Sequence, residues 1–153
     1  MNKDEYFMEK AIELSIAAVK HGNEPFGAVL VKDEEIVFTN ENQIYSMHDP
    51  TFHGEEGLIR RFCAETGITD LKEYTLYSSC EPCFMCSGAM VWVQLGRLVY
   101  GASNAELVKI NQGHEGCNCS KIVFDNSFWQ PEVTAGVLKE DALKVLEDYF
   151  GKH

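Results

Sequence analysis

Apolar positions near the start of the chain recur at helical spacing. Phe7, Met8, Ala11, Ile12, Leu14, Ala18 and Val19, with Ser15 on the same stripe, predict a helix from Asp4 to about Lys20. Gly22 is its stop. Phe26 to Val31 and Ile36 to Asn40 are short β-type runs around the charged Lys32-Asp33-Glu34-Glu35, the pattern of a hairpin. A polar loop from Asn42 to Pro50 follows. Thr51 to about Glu65 has Leu58, Ile59 and Phe62 on one helical face, with Asp49 or Thr51 as cap and Gly67 as stop. Tyr74 to Ser78 is rich in aromatic and β-branched types and predicts a strand. Cys83 to about Val93 is apolar nearly all round, as in a buried helix, and Pro82 sits at its start, where a missing N–H costs nothing. Leu98 to Tyr100 is a further strand that Gly101 closes, and Val133 to Val137 is another. Lys139 to Phe150 is an amphipathic helix through Leu143, Val145, Leu146, Tyr149 and Phe150. Residues 104–130 show no readable period. The order α-β-β-α-β-α-β predicts an α/β protein with a central mixed sheet and helices on both faces. No repeat, low-complexity tract or linker divides residues 1–153, which read as one domain.

Composition narrows the picture. A chain of 153 residues, 45% apolar and 24% charged, can bury one substantial core. Thirteen basic and twenty-four acidic residues leave a formal charge of −11. Affinity for nucleic acid comes largely from Lys and Arg neutralising phosphates, so this balance disfavours a nucleic-acid partner and favours a small neutral or cationic substrate. The first residues are acidic and lack an apolar run before a cleavage site, and no stretch approaches the ~20 apolar residues of a membrane span. A cytoplasmic location without membrane attachment is the expectation. The cysteines are Cys63, Cys80, Cys83, Cys86, Cys117 and Cys119. Without an export signal, metal binding or burial is the expected use rather than disulfides.

Chemistry concentrates in two short motifs about thirty residues apart, His53-Gly54-Glu55 and Pro82-Cys83-Phe84-Met85-Cys86. Zinc prefers nitrogen and thiolate ligands in a tetrahedron. Cys83 and Cys86 at a helix start project to one side, where the helix dipole favours thiolate. His53, heading another helix, supplies a third ligand, which leaves the fourth position for water. Glu55 is too close in sequence to His53 to join it easily on the same ion, but it can stand beside that water and move protons. Alternatives exist for each piece. Cys83 and Cys86 alone fit a redox pair or half of a structural zinc site, and Cys117 and Cys119 could complete the latter. Taken together, the motifs match the signature of zinc-dependent base deaminases, H-x-E followed by P-C-x-x-C.

From Tyr6 to Phe150 the sequence resembles the cytidine deaminase-like superfamily. The resemblance rests on Pro25-Phe26-Gly27-Ala28-Val29, Asp49-Pro50-Thr51-Phe52-His53-Gly54-Glu55 and the run from Thr75 through Cys83 and Cys86 to Met90. It is strongest toward guanine deaminases, fungal cytosine deaminases and tRNA adenosine deaminases. It implies a three-layer α-β-α sandwich around a mainly five-stranded sheet, a homodimer, a Zn2+ cofactor and hydrolytic deamination of a base or nucleoside. It also implies substrate contacts: Asn42 hydrogen-bonding the base, the Gly54 backbone N–H, Phe26 along the ring, the Glu81 backbone carbonyl receiving the amino group, and Trp92 as the aromatic of guanine deaminases. The alternatives are a turn residue for Asn42 and core aromatics for Phe26 and Trp92. The Asp49-Pro50-Thr51 lead-in and Trp92 favour a guanine-type substrate, and the glycine of His53-Gly54-Glu55 is shared with the cytosine branch, so cytosine or isocytosine comes second. Tyr100-Gly101-Ala102-Ser103-Asn104 resembles tRNA adenosine deaminases, against the acidic charge. The segment Asn111 to Cys119 matches none of these relatives. It places His114, Glu115, Cys117 and Cys119 either against the pocket or in a plain loop.

Overall fold

A computed structural model of the protein describes residues 1–113 and 116–151. Its elements are α1 (Lys3–Lys20), β1 (Gly27–Lys32), β2 (Glu35–Glu41), α2 (Gly54–Thr66), β3 (Thr75–Cys80), α3 (Phe84–Trp92), β4 (Arg97–Ala102), α4 (Asn104–Asn111), α5 (Cys119–Asp125), β5 (Glu132–Ala135) and α6 (Lys139–Phe150). The strands form one sheet in the order β2-β1-β3-β4-β5. β1 runs antiparallel to both β2 and β3, and β3, β4 and β5 run parallel. This is the mixed five-stranded sheet expected from the sequence.

Alternation along the central strands builds a core on each face. Ala28, Leu30, Leu76 and Leu98 point to one side, where Leu58, Ile59 and Phe62 of α2, Met90 and Val91 of α3, and Phe124 of α5 cover them. Val29, Val31, Tyr77 and Val99 point to the other, under Phe7, Met8, Ala11 and Ile12 of α1, Leu107 of α4, and Ala142 and Leu146 of α6. Because β1 is buried on both faces, it reads as an unbroken apolar run. Gly27 permits the closest of these contacts: a Cβ there would lie 2.3 Å from the Ala11 carbonyl oxygen and 2.7 Å from the Ser15 nitrogen of α1. At the far end of α1, Asp4 accepts from both Arg97 terminal nitrogens at 2.9 and 2.7 Å and from the Tyr77 hydroxyl at 2.7 Å.

Four expectations change. α2 starts at Gly54, with His53 as its N-cap, not at Thr51. Asp49 instead closes a turn on the Thr51 N–H at 2.9 Å. Gly101 lies inside β4, where a side chain would meet the Ser79 carbonyl oxygen at 2.9 Å and the Ala142 Cβ at 3.0 Å, so it serves close approach of α6 and not strand termination. α3 is not buried all round: Phe84 is 49% and Trp92 78% exposed, so its apolar composition serves two surfaces, only one of them the core. The unread stretch holds α4 and α5, and α4 is opened by a capping box of Ser103 and Glu106. Among the described residues no helix is long and apolar enough to cross a membrane.

Candidate active site and metal centre

The site forms where two helices begin over neighbouring strand ends. After β2 the chain folds back on itself: the Asn42 N–H donates to the Phe26 carbonyl at 2.9 Å, and the Gln43 N–H to the Phe52 carbonyl at 3.0 Å. Asn40, buried at the end of β2, donates through Nδ2 to the Gly54 carbonyl at 3.0 Å and receives Arg61 on Oδ1 at 2.9 Å. Asn40 thereby seats the first turn of α2 against the sheet, a role absent from the sequence reading. His53 caps α2 through extended backbone and makes no side-chain cap bond, which leaves its ring for other partners. Cys83 holds the same position ahead of α3, and Cys86 lies one turn on.

These choices bring three ligand atoms together. His53 Nδ1 lies 3.6 Å from Cys83 Sγ and 3.7 Å from Cys86 Sγ, and all three atoms fall within 4.8 Å of one another. A tetrahedral ion with metal–sulfur bonds near 2.3 Å and a metal–nitrogen bond near 2.05 Å would hold N and S about 3.6 Å apart. The donor set and its spacing therefore fit zinc. Among the described residues no fourth side chain joins the group. Cys119 is buried and Cys117 exposed, both outside it, so they do not complete a four-ligand structural site here.

The charges are unevenly shared. Cys83 is pulled down to about 4 by the Cys86 thiol donating to it, against burial and with help from His53. Cys86, the donor in that pair and almost fully buried, is pushed well above the ordinary thiol value. His53 is raised to about 9 by its bond to Cys83, and the charges of Glu55, Cys83 and Glu24 act in the same direction. Glu55 is pushed up to about 7, mainly by burial and then by the Cys83 charge. A carboxyl poised near neutrality can both accept and return a proton.

A cavity opens over the group, enclosing about 430 Å³ with its open mouth included, within the ~300–1,000 Å³ of small-molecule sites. Phe26, Asn42, His53, Glu55, Glu81 and Cys83 are among the residues that line it. Gly54 stands at its edge, where a Cβ would lie 3.5 Å from the Phe26 carbonyl oxygen and 3.7 Å from the Asn42 nitrogen. Asn42 Oδ1 accepts from the Ile44 N–H at 3.1 Å, so the turn role and the pocket role belong to one side chain. Phe26 likewise does both, packing on Phe150 at 6.2 Å between centroids.

One expected contact is not found among the described residues that line the cavity. Trp92 lies at the outer end of α3 against the Phe128 ring at 5.6 Å, away from the lining and not in the core. A position eight residues into a helix whose first turn faces His53 has moved away from the site along the helix axis. His114 lies outside the described residues, as does Glu115. Glu24, Cys80, Asn104 and Leu107 line the cavity without having been singled out. Glu24 directly precedes the Pro25-Phe26 signal, and Asn104 directly follows the Ser103 cap, so both had neighbours that could have pointed to them.

A family model described as "Cytidine and deoxycytidylate deaminase zinc-binding region" matches residues 1–102. The chain belongs to this deaminase family. It is 35% identical to a guanine deaminase of Bacillus subtilis (strain 168) over 130 residues, 84% of this chain and 76% of the relative. It is 36% identical to a probable cytosine deaminase of Schizosaccharomyces pombe over 118 residues, 75% of this chain and 70% of the relative. Among solved structures, one from work on A-to-I editing by tRNA:A34 deaminases superposes with a TM-score of 0.78 at 27% identity, covering 92% of this chain and 98% of the other. The three relatives differ in what their names say they act on, so membership gives a deaminase family and leaves the amine open.

Proposed function

We infer that the protein is a hydrolytic deaminase of a small amino-substituted heteroaromatic base or nucleoside, guanine-type first and cytosine- or isocytosine-type second, working with zinc. One observation carries this reading. The His53, Cys83 and Cys86 donors stand at tetrahedral spacing at the foot of a cavity into which the Glu55 carboxyl also faces. Zinc held there would supply an activated water as nucleophile. The chain's own residues do the rest. Glu55, buried and near neutral in its proton affinity, accepts a proton, delivers it to a ring nitrogen of the amidine-like carbon under attack, and carries a second to the departing ammonia. Asn42, its Oδ1 already fixed by Ile44, offers its NH2 to the base, with the Gly54 N–H and the Glu81 carbonyl as further partners. Phe26 supplies the apolar wall.

Charge favours a free base or nucleoside over tRNA. No Lys or Arg lines the cavity among the described residues, and the chain carries −11 overall. The tRNA-editing alternative expects salt-dependent retention of tRNA. A non-catalytic zinc protein of this fold is the other alternative, and it expects a fourth protein ligand. The resemblance also implies a homodimer, and the uncovered apolar surface of Phe84, Trp92 and Phe128 supports it. A reducing cytoplasmic setting suits six cysteines of which none is in a disulfide.

The deciding experiment is an ammonia-release screen of the zinc-loaded protein against purine, pyrimidine, pterin and triazine amines, repeated with Glu55→Gln. The expected outcome is turnover of at least one amine. Glu55→Gln should lose it by a factor of about 10²–10⁴ with zinc content unchanged. Equal ammonia release by the variant would remove Glu55 from the mechanism.

A further inference from the structure

The stretch that carries no readable period is tied to the metal loop by one buried carboxylate. Glu81 is 7% exposed. Its Oε1 accepts from the Asn104 N–H, in the first turn of α4, at 3.0 Å, and its Oε2 accepts from the Ser120 hydroxyl of α5. Asn104 closes the circuit. Its Nδ2 donates to the Glu81 carbonyl at 3.0 Å, and its Oδ1 accepts from the Cys119 N–H at 3.0 Å. Glu81 is followed directly by Pro82 and Cys83, so a single residue joins the ligand turn to the first turns of two helices.

Packing buries Cys119 of α5 and Leu107 of α4, and the hydrogen bonds to Glu81 and Asn104 add the link between these helix starts and the ligand turn. α5 is anchored in the core at its far end, where Phe124 is buried and Val123 packs on the same cluster. At its near end a second cavity opens, lined by Glu81, Tyr100, Ser120 and Phe124 among others. The hydrogen bond to Glu81 and the burial of Cys119 together hold the start of α5. On α4, Asn104 and Leu107 both line the substrate cavity; Leu107 is held by the core, and Asn104 by its bonds to Glu81. A buried carboxylate is costly unless its oxygens are satisfied, and here each has a donor.

We propose that Glu81 is a positioning residue: through its carboxylate, Asn104 and Ser120, it fixes the first turn of α4 as a wall of the substrate cavity and ties α5 to that wall from outside the cavity. The wall then moves as a unit with the metal loop, and its loss should weaken substrate retention more than the chemical step. The kinetic half of this inference rests on the deaminase reading above.

The test uses the zinc-loaded full chain and four forms: wild type, Ser120→Ala, Glu81→Ala and Glu81→Gln. Ser120 lies outside the substrate cavity, so its change cannot act by touching the base. Hydrogen exchange should accelerate in peptides covering residues 104–125 by about tenfold in Ser120→Ala, the loss of one hydrogen bond to a charged group, and by more in Glu81→Ala. Glu81→Gln should recover most of the protection, because its amide oxygen can still accept from Asn104 and its NH2 can donate to a reoriented Ser120 hydroxyl. With whichever amine is turned over, Ser120→Ala should raise KM several-fold with kcat within about threefold. Unchanged exchange in Ser120→Ala with a normal zinc content overturns the proposal. So does a fall in kcat at constant KM. The exchange arm needs no substrate, so a silent ammonia screen would count against the deaminase reading and leave the clamp judged on exchange alone.

Discussion

The imidazole of His53 and the thiols of Cys83 and Cys86 do not meet a metal in the same protonation state. Before metal arrives, Cys83 at about 4 is a thiolate, His53 at about 9 is an imidazolium, and Cys86 is a thiol held well above its ordinary value. A zinc ion bound there would have to displace one proton from His53 and one from Cys86, while Cys83 is ready as it stands. The affinity of the metal-free protein for zinc should then fall about a hundredfold for each pH unit lowered between roughly pH 5 and 8. Competition with a chromophoric chelator at several pH values checks this, and calorimetry in buffers of different ionisation heat counts the protons. Gly54 makes a contrasting case at the same scale. A methyl group at Gly54 would sit at ordinary contact distance, 3.5 Å from the nearest atom. Gly54→Ala should leave stability within about 0.5 kcal/mol, so space does not require glycine there.

At the scale of elements, glycine does become a requirement at Gly27, where α1 lies directly on β1. An added Cβ would meet backbone at 2.3 and 2.7 Å, and backbone cannot step aside as a flexible side chain can. Gly27→Ala should cost about 1–3 kcal/mol in denaturant unfolding, the usual size of overpacking, and should disturb Phe26 in the adjoining wall. Hydrophobic period locates most elements here because each helix or strand has one buried face. The method fails for α4 and α5 for a physical reason. They are short, and among the described residues of α4 only Asn104, Leu107 and Asn111 are buried, too few apolar positions to establish a period. The cap of α4 was legible all the same: Ser103 with Glu106 three residues on is a start signal independent of hydrophobicity. For α3 the period misled differently. An apolar outer face looks in sequence like a buried one.

For the whole molecule, the sheet is fastened across its parallel half by Asp4. Its carboxylate reaches Arg97 of β4 and Tyr77 of β3 from the first turn of α1, with both members of the ion pair about one-quarter exposed. The Arg97 side chain, chiefly, with Tyr77 and against burial, holds the Asp4 carboxyl below its usual 3.8. A folded-state value lowered in this way stabilises the protein above the ordinary carboxylate range, and the gain disappears as pH falls through the folded value. Asp4→Asn should therefore lose about 1–2 kcal/mol at pH 7, and the gap to wild type should close below about pH 4. Urea unfolding at both pH values decides it. The uncovered apolar face of α3 with Phe128 belongs to this scale too. Sedimentation of the wild type should show a dimer, and Trp92→Glu should shift it toward monomer with zinc content intact.

The order of residues was enough to single out the three side chains that could hold a metal and the carboxyl beside them, because both depend on short spacings: His53 two residues before Glu55, Cys83 three before Cys86, each motif at a helix start. It also determined the sheet-and-helix order, because burial of one face imprints a period on the chain. Tertiary structure alone decided which other residues share the cavity. Glu24, Cys80, Asn104 and Leu107 come from three separate segments, and Trp92, close in sequence to Cys83 and Cys86, is carried away from them along its helix. Local pattern records which side of an element is buried. It does not record against what, and a binding wall is made of that second kind of information.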